Sequence, residues 1–536
     1  MDFLNKKIDD LIRCVNARWE LGLSKEINLK ANGRKIVCTS VYGNIEIPSE
    51  IVPFLDSFYL QRLRNISQTG FLRYVFPEAR HSRFEHSLGV YWVLETILKN
   101  NKDKISDSEE TKLRLSALLH DIGHGAFSHL TEIILGWYIF DEKYMNSCLP
   151  KKNKPSYHER RAACLILGEN EISNSILKDA IIELCGEDGP EFIAKCIQGN
   201  TEEWLSPLIN GPLDADRFDY IKRDAFFAGT TGGGIEVDYL TRNILISKKE
   251  EKIFLPEKVH AVYLQMVYGR EFVYGETIFH PVHCCVQSMF MVALNEALKF
   301  INELGIDVVK ILNNMDKMED RDLLYLLDLI SNCKDKRSPI FNDLYGRILR
   351  RELYGRFTEY TYYDYRNYLE EFVKKYLKTH AKSKEIARKY NHIRIKEAFS
   401  PLQYLGKKEL DEILPRALSN QLNEKDVLIL CFQPDISSID KEKCEKPFTA
   451  IQLKEKGGNK FIKYKDYIKE RIGKPKLSSS LFTLQKILFK GILFGPKRLL
   501  DNPLWDKNIK DSKLKKKLFY YFMRADKTQW FTKDMK

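Results

Sequence analysis

Apolar residues recur along this chain at two different spacings, and the changes between them divide it. Leu4, Ile8, Leu11 and Ile12 stand among charged residues at helical spacing, which predicts a short amphipathic helix at the N-terminus. The run Lys35-Ile-Val-Cys-Thr-Ser-Val-Tyr-Gly43 predicts a strand ending in a turn. From position 49 to about 330 the pattern is helical. Leu113, Leu115, Leu118 and Leu119 share one such stretch, and Gly123-His-Gly125 stops it. Residues 286–304 form a long helical run without an internal breaker. Helical spacing continues under heavy charge from 316 to about 430 and closes in Asp426-Val-Leu-Ile-Leu-Cys-Phe432, a predicted buried strand. Past Pro434 the character shifts. Segments 441–446, 454–460 and 513–517 are lysine-dense, aromatics recur over 461–531, and no internal repeat or low-complexity segment is present. Four parts are expected: an N-terminal segment with strand and turn (1–50), a helical core (51–310), a helical lobe ending in a strand (311–435) and a basic C-terminal extension (436–536).

Composition narrows the class. With 44% hydrophobic and 30% charged residues, the 536-residue chain is globular rather than mainly disordered. Lys plus Arg is 86 against 74 Asp plus Glu, so the net charge of +12 favours anionic partners without naming nucleic acid. Eleven cysteines occur without a Cys-x-x-Cys pair, and residues 1–16 carry no secretory apolar stretch, so a reduced, cytoplasmic protein is expected. No uncharged run of about 18 apolar residues is present, and neither a spanning helix nor a membrane partner is expected.

The chemistry-bearing residues are concentrated. Five of the 11 histidines fall between His81 and His129, in His81-Ser-Arg-Phe-Glu-His86 and Leu119-His120-Asp121-Ile-Gly-His124-Gly-Ala-Phe-Ser-His129. Neutral imidazoles with carboxylates suit a borderline divalent ion. His120 and Asp121 close an apolar helical stretch, where both side chains can leave the helix and meet an ion shared with other helices.

This H…HD…D pattern, with a later Asp in Leu213-Asp-Ala-Asp216-Arg-Phe-Asp-Tyr220-Ile-Lys-Arg-Asp224, resembles that of the HD-domain metal-dependent phosphohydrolases. Within them it is similar to the deoxynucleoside triphosphate (dNTP) triphosphohydrolases, both bacterial and the vertebrate enzyme with a sterile-alpha-motif domain. The likeness runs from about 35 to 432, is strongest over 56–224 and fails after Pro434. It implies a mainly α fold, a helical HD-domain core over 51–310 with a small mixed α/β C-terminal lobe. The matched metal ligands are His86, His120, Asp121 and Asp216, for one divalent metal (Mn, Fe, Zn, Ni or Mg), with room for a second Mg on the triphosphate. His124, His129 and His158 match histidines near the scissile phosphate, His129 as proton donor to the sugar 5′-oxygen. Arg83, Gln68, Arg217, Tyr220, Asp224 and Arg270 match groups that hold triphosphate and sugar, where Arg offers a planar fork of donors. The implied reaction breaks the ester between α-phosphate and sugar and releases deoxynucleoside and triphosphate, and such dNTP depletion would suit antiphage defence.

Two regions depart from the family. Ile278 stands where relatives place an aromatic residue against the sugar, and Thr69 replaces an apolar one, with Tyr274 and Tyr268 both available to stack instead. Lys35, Asp56, Gln61 and Arg64 match a guanine-reading activator site, which implies a GTP or dNTP activator and a homo-oligomer, while Cys38 replaces an expected Asn and Thr39-Ser40 an Asp-Pro pair. The lysine-rich tail with Tyr520, Tyr521, Trp530 and Phe531 offers charge and stacking for nucleic acid, although a solvated face or an oligomer contact is the commoner reason for such a segment. Gly229-Thr-Thr-Gly-Gly-Gly234 lacks the Lys-Ser or Lys-Thr of a phosphate-binding loop and reads as a surface loop. Two other readings stay open: an HD sensor or scaffold acting through a partner, and the same chemistry on nucleic-acid ends or a signalling nucleotide.

Overall fold

The N-terminal apolar spacing continues further than its first four members. Helix α1 (Asp2–Leu23) also buries Val15, Trp19 and Leu23. In the computed structural model, which describes residues 2–30, 33–138, 155–169, 176–230, 236–333, 338–361, 363–364, 367–368, 371, 402–433, 452–454, 461–463, 490–509 and 511–524, the strand expected from Lys35 is one half of a hairpin. Strand β1 (Lys35–Thr39) pairs antiparallel with β2 (Gly43–Ile47).

The helical core follows in chain order: α2 (Arg83–Asn100), α3 (Asp107–Leu119), α4 (His129–Tyr138), α5 (Tyr157–Leu167), α6 (Ile176–Cys185), α7 (Gly189–Ile197), α8 (Ala215–Ala228), α9 (His260–Glu276), α10 (Pro281–Glu303), α11 (Val308–Met315), α12 (Asp320–Ser331) and α13 (Pro339–Arg350). Helix α2 is apolar nearly all round because it divides two cores. Phe84, Leu88 and Tyr91 face one, with α1 and α10, and Val90, Val93, Leu94 and Ile97 face the other, with α8 and α9. Trp19 of α1 locks onto the first core by donating from Nε1 to the carbonyl of Lys317 (2.9 Å). Helix α10 is long and apolar enough, by length and composition, to cross a membrane, although Glu296 and Lys299 interrupt its uncharged run. Here 83% of its apolar window is buried in the first core.

The mainly α expectation holds, with a small sheet region towards the C-terminus. Strands also appear where helix was expected: β3 (Leu245–Ser247), β4 (Lys252–Pro256), β5 (Gly355–Tyr360) and β6 (Leu402–Leu405). These segments are too short to display a period against their charged neighbours, and pairing decides them. The buried strand predicted at 426–432 is β7 (Leu428–Gln433). Its sheet crosses the expected boundary at 435/436, because β10 (Lys490–Gly495) lies between β5 and β7 and is antiparallel to both, giving the order β5-β10-β7-β6. The other lysine-rich strands, β8 (Gln452–Lys454) and β9 (Phe461–Lys463), extend the β3-β4 hairpin, with β4 and β8 parallel. The segment after Pro434 is therefore woven into both sheets rather than appended.

The tail lysines at 513–517 lie on α14 (Ser512–Arg524), which buries Leu514, Leu518, Phe519 and Phe522 in a third core. Lys515 pairs with Asp364 (3.0 Å) and Lys516 with Glu371, and Tyr520 donates to Glu371 (3.1 Å). Trp530, Phe531 and the lysine runs at 441–446 and 455–460 lie outside the described residues, as do positions 231–235 of the glycine-rich loop.

A chain truncated before Lys490 leaves β5 and β7 without the strand they share. It is expected to melt well below the full chain, or to aggregate through the exposed edges. A truncated chain with an unchanged melting temperature would show that the sheet does not depend on β10.

Candidate active site

Three helices that present the candidate ligands begin with the same device. Ser82 with Glu85, Ser106 with Glu109 and Ser156 with Glu159 each form a capping box, in which serine and glutamate satisfy each other's free amides. Helix α2 therefore starts at Arg83 and holds His86 in its first turns. Helix α3 ends at Leu119 and hands His120 and Asp121 to the following turn. Helix α5 starts at Tyr157 and presents His158. Asp214 caps α8 by accepting from the amide of Arg217 (2.7 Å), one turn around Asp216. Gly123 does not stop α3, which has already ended. A Cβ there would lie 2.1 Å from the carbonyl oxygen of His158, so glycine lets this turn lie against α5.

His86, His120, Asp121 and Asp216 converge. His86 Nε2 lies 3.0 Å from Asp216 Oδ1, 3.7 Å from Asp121 Oδ2 and 3.3 Å from His120 Nε2. His120 Nε2 lies 3.3 Å from Asp121 Oδ1 and 4.0 Å from Asp216 Oδ1. The other ring nitrogens fix the tautomers. His120 Nδ1 faces the carbonyl oxygen of Ala117 (2.9 Å), which can only accept, and His86 Nδ1 donates to Asp219 Oδ2 (2.6 Å). Both Nε2 atoms thus point lone pairs at each other and at two carboxylates. Burial disfavours charge on His86, yet with no ion among them Asp216 and Asp219 would draw a proton onto it and hold its pKa up at about 10, and a metal at Nε2 would take the place of that proton. His86, His120 and Asp121 bring their ligand atoms close enough to share one ion, Asp216 reaches both histidines, and this nitrogen and oxygen set fits a divalent transition metal.

The surrounding groups hold these ligands. Asp219 is gripped by Arg223 through Nε (2.8 Å) and Nη2 (3.0 Å), and all of it is buried. Arg83 donates from Nη1 to Asp121 Oδ2 (2.9 Å) and from Nε to Ser128 Oγ (2.9 Å). Against its burial, Asp121 is held well below the usual carboxylate range by Arg83 and its histidine neighbours. Phe127 and Ser128 adopt φ of +53° and +54°, a left-handed backbone that non-glycine residues resist. Asp320 pins that turn by accepting from the amide of Phe127 (2.6 Å).

A second cluster forms around Glu132, which the sequence reading missed. Its Oε1 lies 2.6 Å from His158 Nδ1 and 3.1 Å from His124 Nδ1, and its Oε2 lies 3.1 Å from His129 Nδ1. His124 and His158 stack at 3.9 Å. Burial, Arg83 and His158 push the pKa of His124 down to about 3, whereas Glu132 raises that of His158. His124 is fully buried, but 60% of the His129 side chain is exposed. Glu132 follows His129 by three residues on α4, a helical spacing that marks it in hindsight.

The next face of α8 builds a cationic, aromatic wall. Arg270 donates from Nε to the Tyr220 hydroxyl (2.9 Å) and lies 4.6 Å over the Tyr274 ring, which meets Tyr220 edge-on. Arg217 lies 3.5 Å from Asp214. Of the two tyrosines left open as stacking groups, Tyr274 joins this wall and Tyr268 packs against the second core. His81, also unassigned from sequence, bonds through Nε2 to Asp224 Oδ1 (2.8 Å) and stacks on Phe227. Gln68 buries its side-chain oxygen without a hydrogen-bond partner.

Comparison with known proteins matches residues 83–224 to the family described as HD domain, from the first residue of α2 to Asp224. The chain carries an HD domain. It is 30% identical over 333 residues to an uncharacterized protein of Methanocaldococcus jannaschii, covering 62% of this chain and 61% of that one. It is 28% identical over 281 residues to the deoxynucleoside triphosphate triphosphohydrolase SAMHD1 homolog of Dictyostelium discoideum, covering half of each. The chain thus spans between half and two thirds of these relatives. Among solved structures, a phosphohydrolase from Bacteroides thetaiotaomicron shares the fold at a TM-score of 0.57 and 20% identity, covering 86% of this chain and all of that one.

Beside the HD domain, the four residues matched to an activator site form two pairs. Lys35 and Asp56 form a half-exposed ion pair. Arg64 donates to Gln61 Oε1 (2.8 Å) and stacks 3.6 Å over Phe84, while Gln61 donates to the carbonyl of Leu55 (2.8 Å). In this arrangement the polar groups satisfy each other, and a nucleotide seated there would have to part Lys35 from Asp56.

Gly89, one turn beyond His86, gives the sharpest test of the HD ligand shell. A Cβ there would lie 1.8 Å from Asp219 Oδ1 and 2.4 Å from Arg223 Nη2. Gly89→Ala gains about 0.5–1 kcal/mol of helix propensity but displaces the pair that aims His86. The expected outcome is a folded chain with metal affinity weakened about 10- to 100-fold, read as metal per chain after gel filtration.

Proposed function

We propose that this protein is a metal-dependent triphosphohydrolase that converts dNTPs to deoxynucleoside and inorganic triphosphate. The observation that carries the reading is the cluster of His86, His120 and Asp121, reached by Asp216 and touched through Asp121 by His124 of the Glu132-linked histidines, on a chain whose helix α8 also carries Tyr220 against Arg270. A divalent ion on His86, His120, Asp121 and Asp216 would supply a Lewis acid for a phosphoryl oxygen and for water. Arg217 and Arg270 neutralise the triphosphate, and Tyr220 and Tyr274 flank it. Asp224, held by His81, and Gln68 accept from and donate to the sugar. Water attacks the α-phosphorus and the bond to the sugar 5′-oxygen breaks. His129 is exposed on the substrate side and tied through Nδ1 to an ionised Glu132, so it gives its proton to that oxygen. His124, kept neutral by burial, steadies the phosphate without adding charge.

The name of the Dictyostelium relative supports the substrate class. Consumption of dNTPs would serve antiviral defence, a use that follows from the reaction and not from any one residue. Hydrolysis in heavy-oxygen water is expected to release unphosphorylated deoxynucleoside and put the label in tripolyphosphate, and His120→Ala or Asp121→Asn is expected to abolish it along with bound metal. Nucleoside monophosphate with pyrophosphate, or cleavage of single-stranded DNA in place of dNTPs, would favour the other HD chemistries.

A regulatory reading is supported by the exposed Lys35–Asp56 pair, whose carboxylate suits the donor edge of guanine. GTP or a dNTP acts there as activator and stabilises a homo-oligomer. Asp56→Ala is expected to remove the rise in hydrolysis of one dNTP on adding a second nucleotide, while metal content stays at parental level. A coupling of about 1–3 kcal/mol would appear as a change in rate of several-fold or more, and hyperbolic kinetics for every nucleotide pair would overturn it.

A further inference from the structure

The turn between β1 and β2 places an aromatic ring against the metal centre's supporting shell. Tyr42 in that turn stacks on Trp92 of α2, with centroids 4.2 Å apart and planes at 21°. Two cations of α8 lie against the same ring: Lys222 Nζ is 4.8 Å from its centroid and Arg223 Cζ is 5.8 Å away. Lys222 is anchored by Asp238 (2.7 Å). The Tyr42 hydroxyl is buried without an aligned hydrogen-bond partner, and Asp219 stands close enough to add to the effect of burial in raising its pKa. From here the contacts are continuous. Arg223 grips Asp219 with two donors, Asp219 accepts from His86 Nδ1 (2.6 Å), and His86 Nε2 faces Asp216 (3.0 Å).

A guanidinium this deeply buried needs its flat face covered as well as its edge paired; Asp219 pairs the edge, and an aromatic ring covers the face by contact and by cation–π attraction. Take the ring away and Arg223 gains room to turn, Asp219 loses its fixed orientation, and His86 can rotate off the ion. We propose that Tyr42 is a positioning residue of the metal centre, so that the N-terminal hairpin is a working part of the site that aims His86 through Arg223 and Asp219. The inference rests on reading His86, His120, Asp121 and Asp216 as the metal site. It also locates the hairpin, whose first residue is Lys35, between the activator-like pair and the metal ligands.

The test is the affinity of the full chain for Mn²⁺, measured by competition with a fluorescent chelator without nucleotide, beside its melting temperature. Tyr42→Leu fills the space without an aromatic face, and its Mn²⁺ affinity is expected to fall about tenfold with melting little changed. Tyr42→Phe keeps the ring and is expected to retain parental affinity, which assigns the effect to the ring and not to its hydroxyl, while the unchanged melting temperature of Tyr42→Leu separates it from a general loss of packing. Trp92→Leu removes the support behind the ring and is expected to weaken Mn²⁺ in the same direction, which keeps the test open if the Tyr42→Leu chain folds poorly. Parental affinity in a folded Tyr42→Leu or Trp92→Leu chain overturns the role of Tyr42 and leaves the metal reading standing. A parent chain that binds neither Mn²⁺ nor Zn²⁺ overturns the metal reading, and the proposal with it.

Discussion

Two imidazole lone pairs and two carboxylates facing one another across 3.0–4.0 Å would repel unless positive charge lay among them. That concentration of acceptors in a buried place is the constraint around which the core is arranged. Carboxylates removed from water would ordinarily take up protons. Arg83 on Asp121 and Arg223 on Asp219 prevent this by setting fixed cations just outside the cluster, each on the far side of a ligand or of its support. Neither arginine can do so from a flexible loop, and both sit on helices that pack together, Arg83 on α2 between the two cores and Arg223 on α8 in the second.

The constraint extends into the backbone. Two successive left-handed residues, Phe127 and Ser128, cost about 1–3 kcal/mol each, and they persist because several elements fix them at once. Asp320 of α12 holds the amide, Arg83 of α2 holds the Ser128 hydroxyl, and that hydroxyl donates to the carbonyl of Ser67 (2.7 Å). The strained turn separates His124 from His129 and gives them opposite environments, one sealed in the core and one open to solvent. Burial can therefore hold His124 neutral while His129, five residues on, keeps its ring open to solvent, which a regular helix through the same segment would not give.

What was legible in the sequence was what depends on local spacing. The His and Asp residues of the site stand in short motifs and could be named before the fold was known, whereas the serine–glutamate pairs that start α2, α3 and α5 became evident only with the helices they cap. The strand at β7 was visible because it is a continuous apolar run. Residues that act by distant partnership were not. Glu132, Asp219 and Arg223 look like ordinary surface charges on helices until α4 and α8 are packed, and His81 acquires meaning only when Asp224 arrives from α8, 143 residues later. Gly123 was read as a helix stop because close backbone approach leaves no trace in one segment alone. The strand β5 was lost in charged surroundings for a related reason, since its partner β10 lies far along the chain, and β6 is too short to stand out from β7, on which it pairs.

That placement of β10 has a consequence for the order of assembly. As the chain emerges in synthesis, β5, β6 and β7 are all available before the strand that belongs between β5 and β7 has been made. Until then the backbone donors and acceptors on the inner edges of β5 and β7 have no lasting partner. The helices of the core are all made before β10 and can begin to pack first, while the lobe must wait for its latest strand. The lobe is therefore the part of this protein with the longest exposure to wrong pairing, and closure of its sheet by β10 marks the point at which the chain is committed to its final topology.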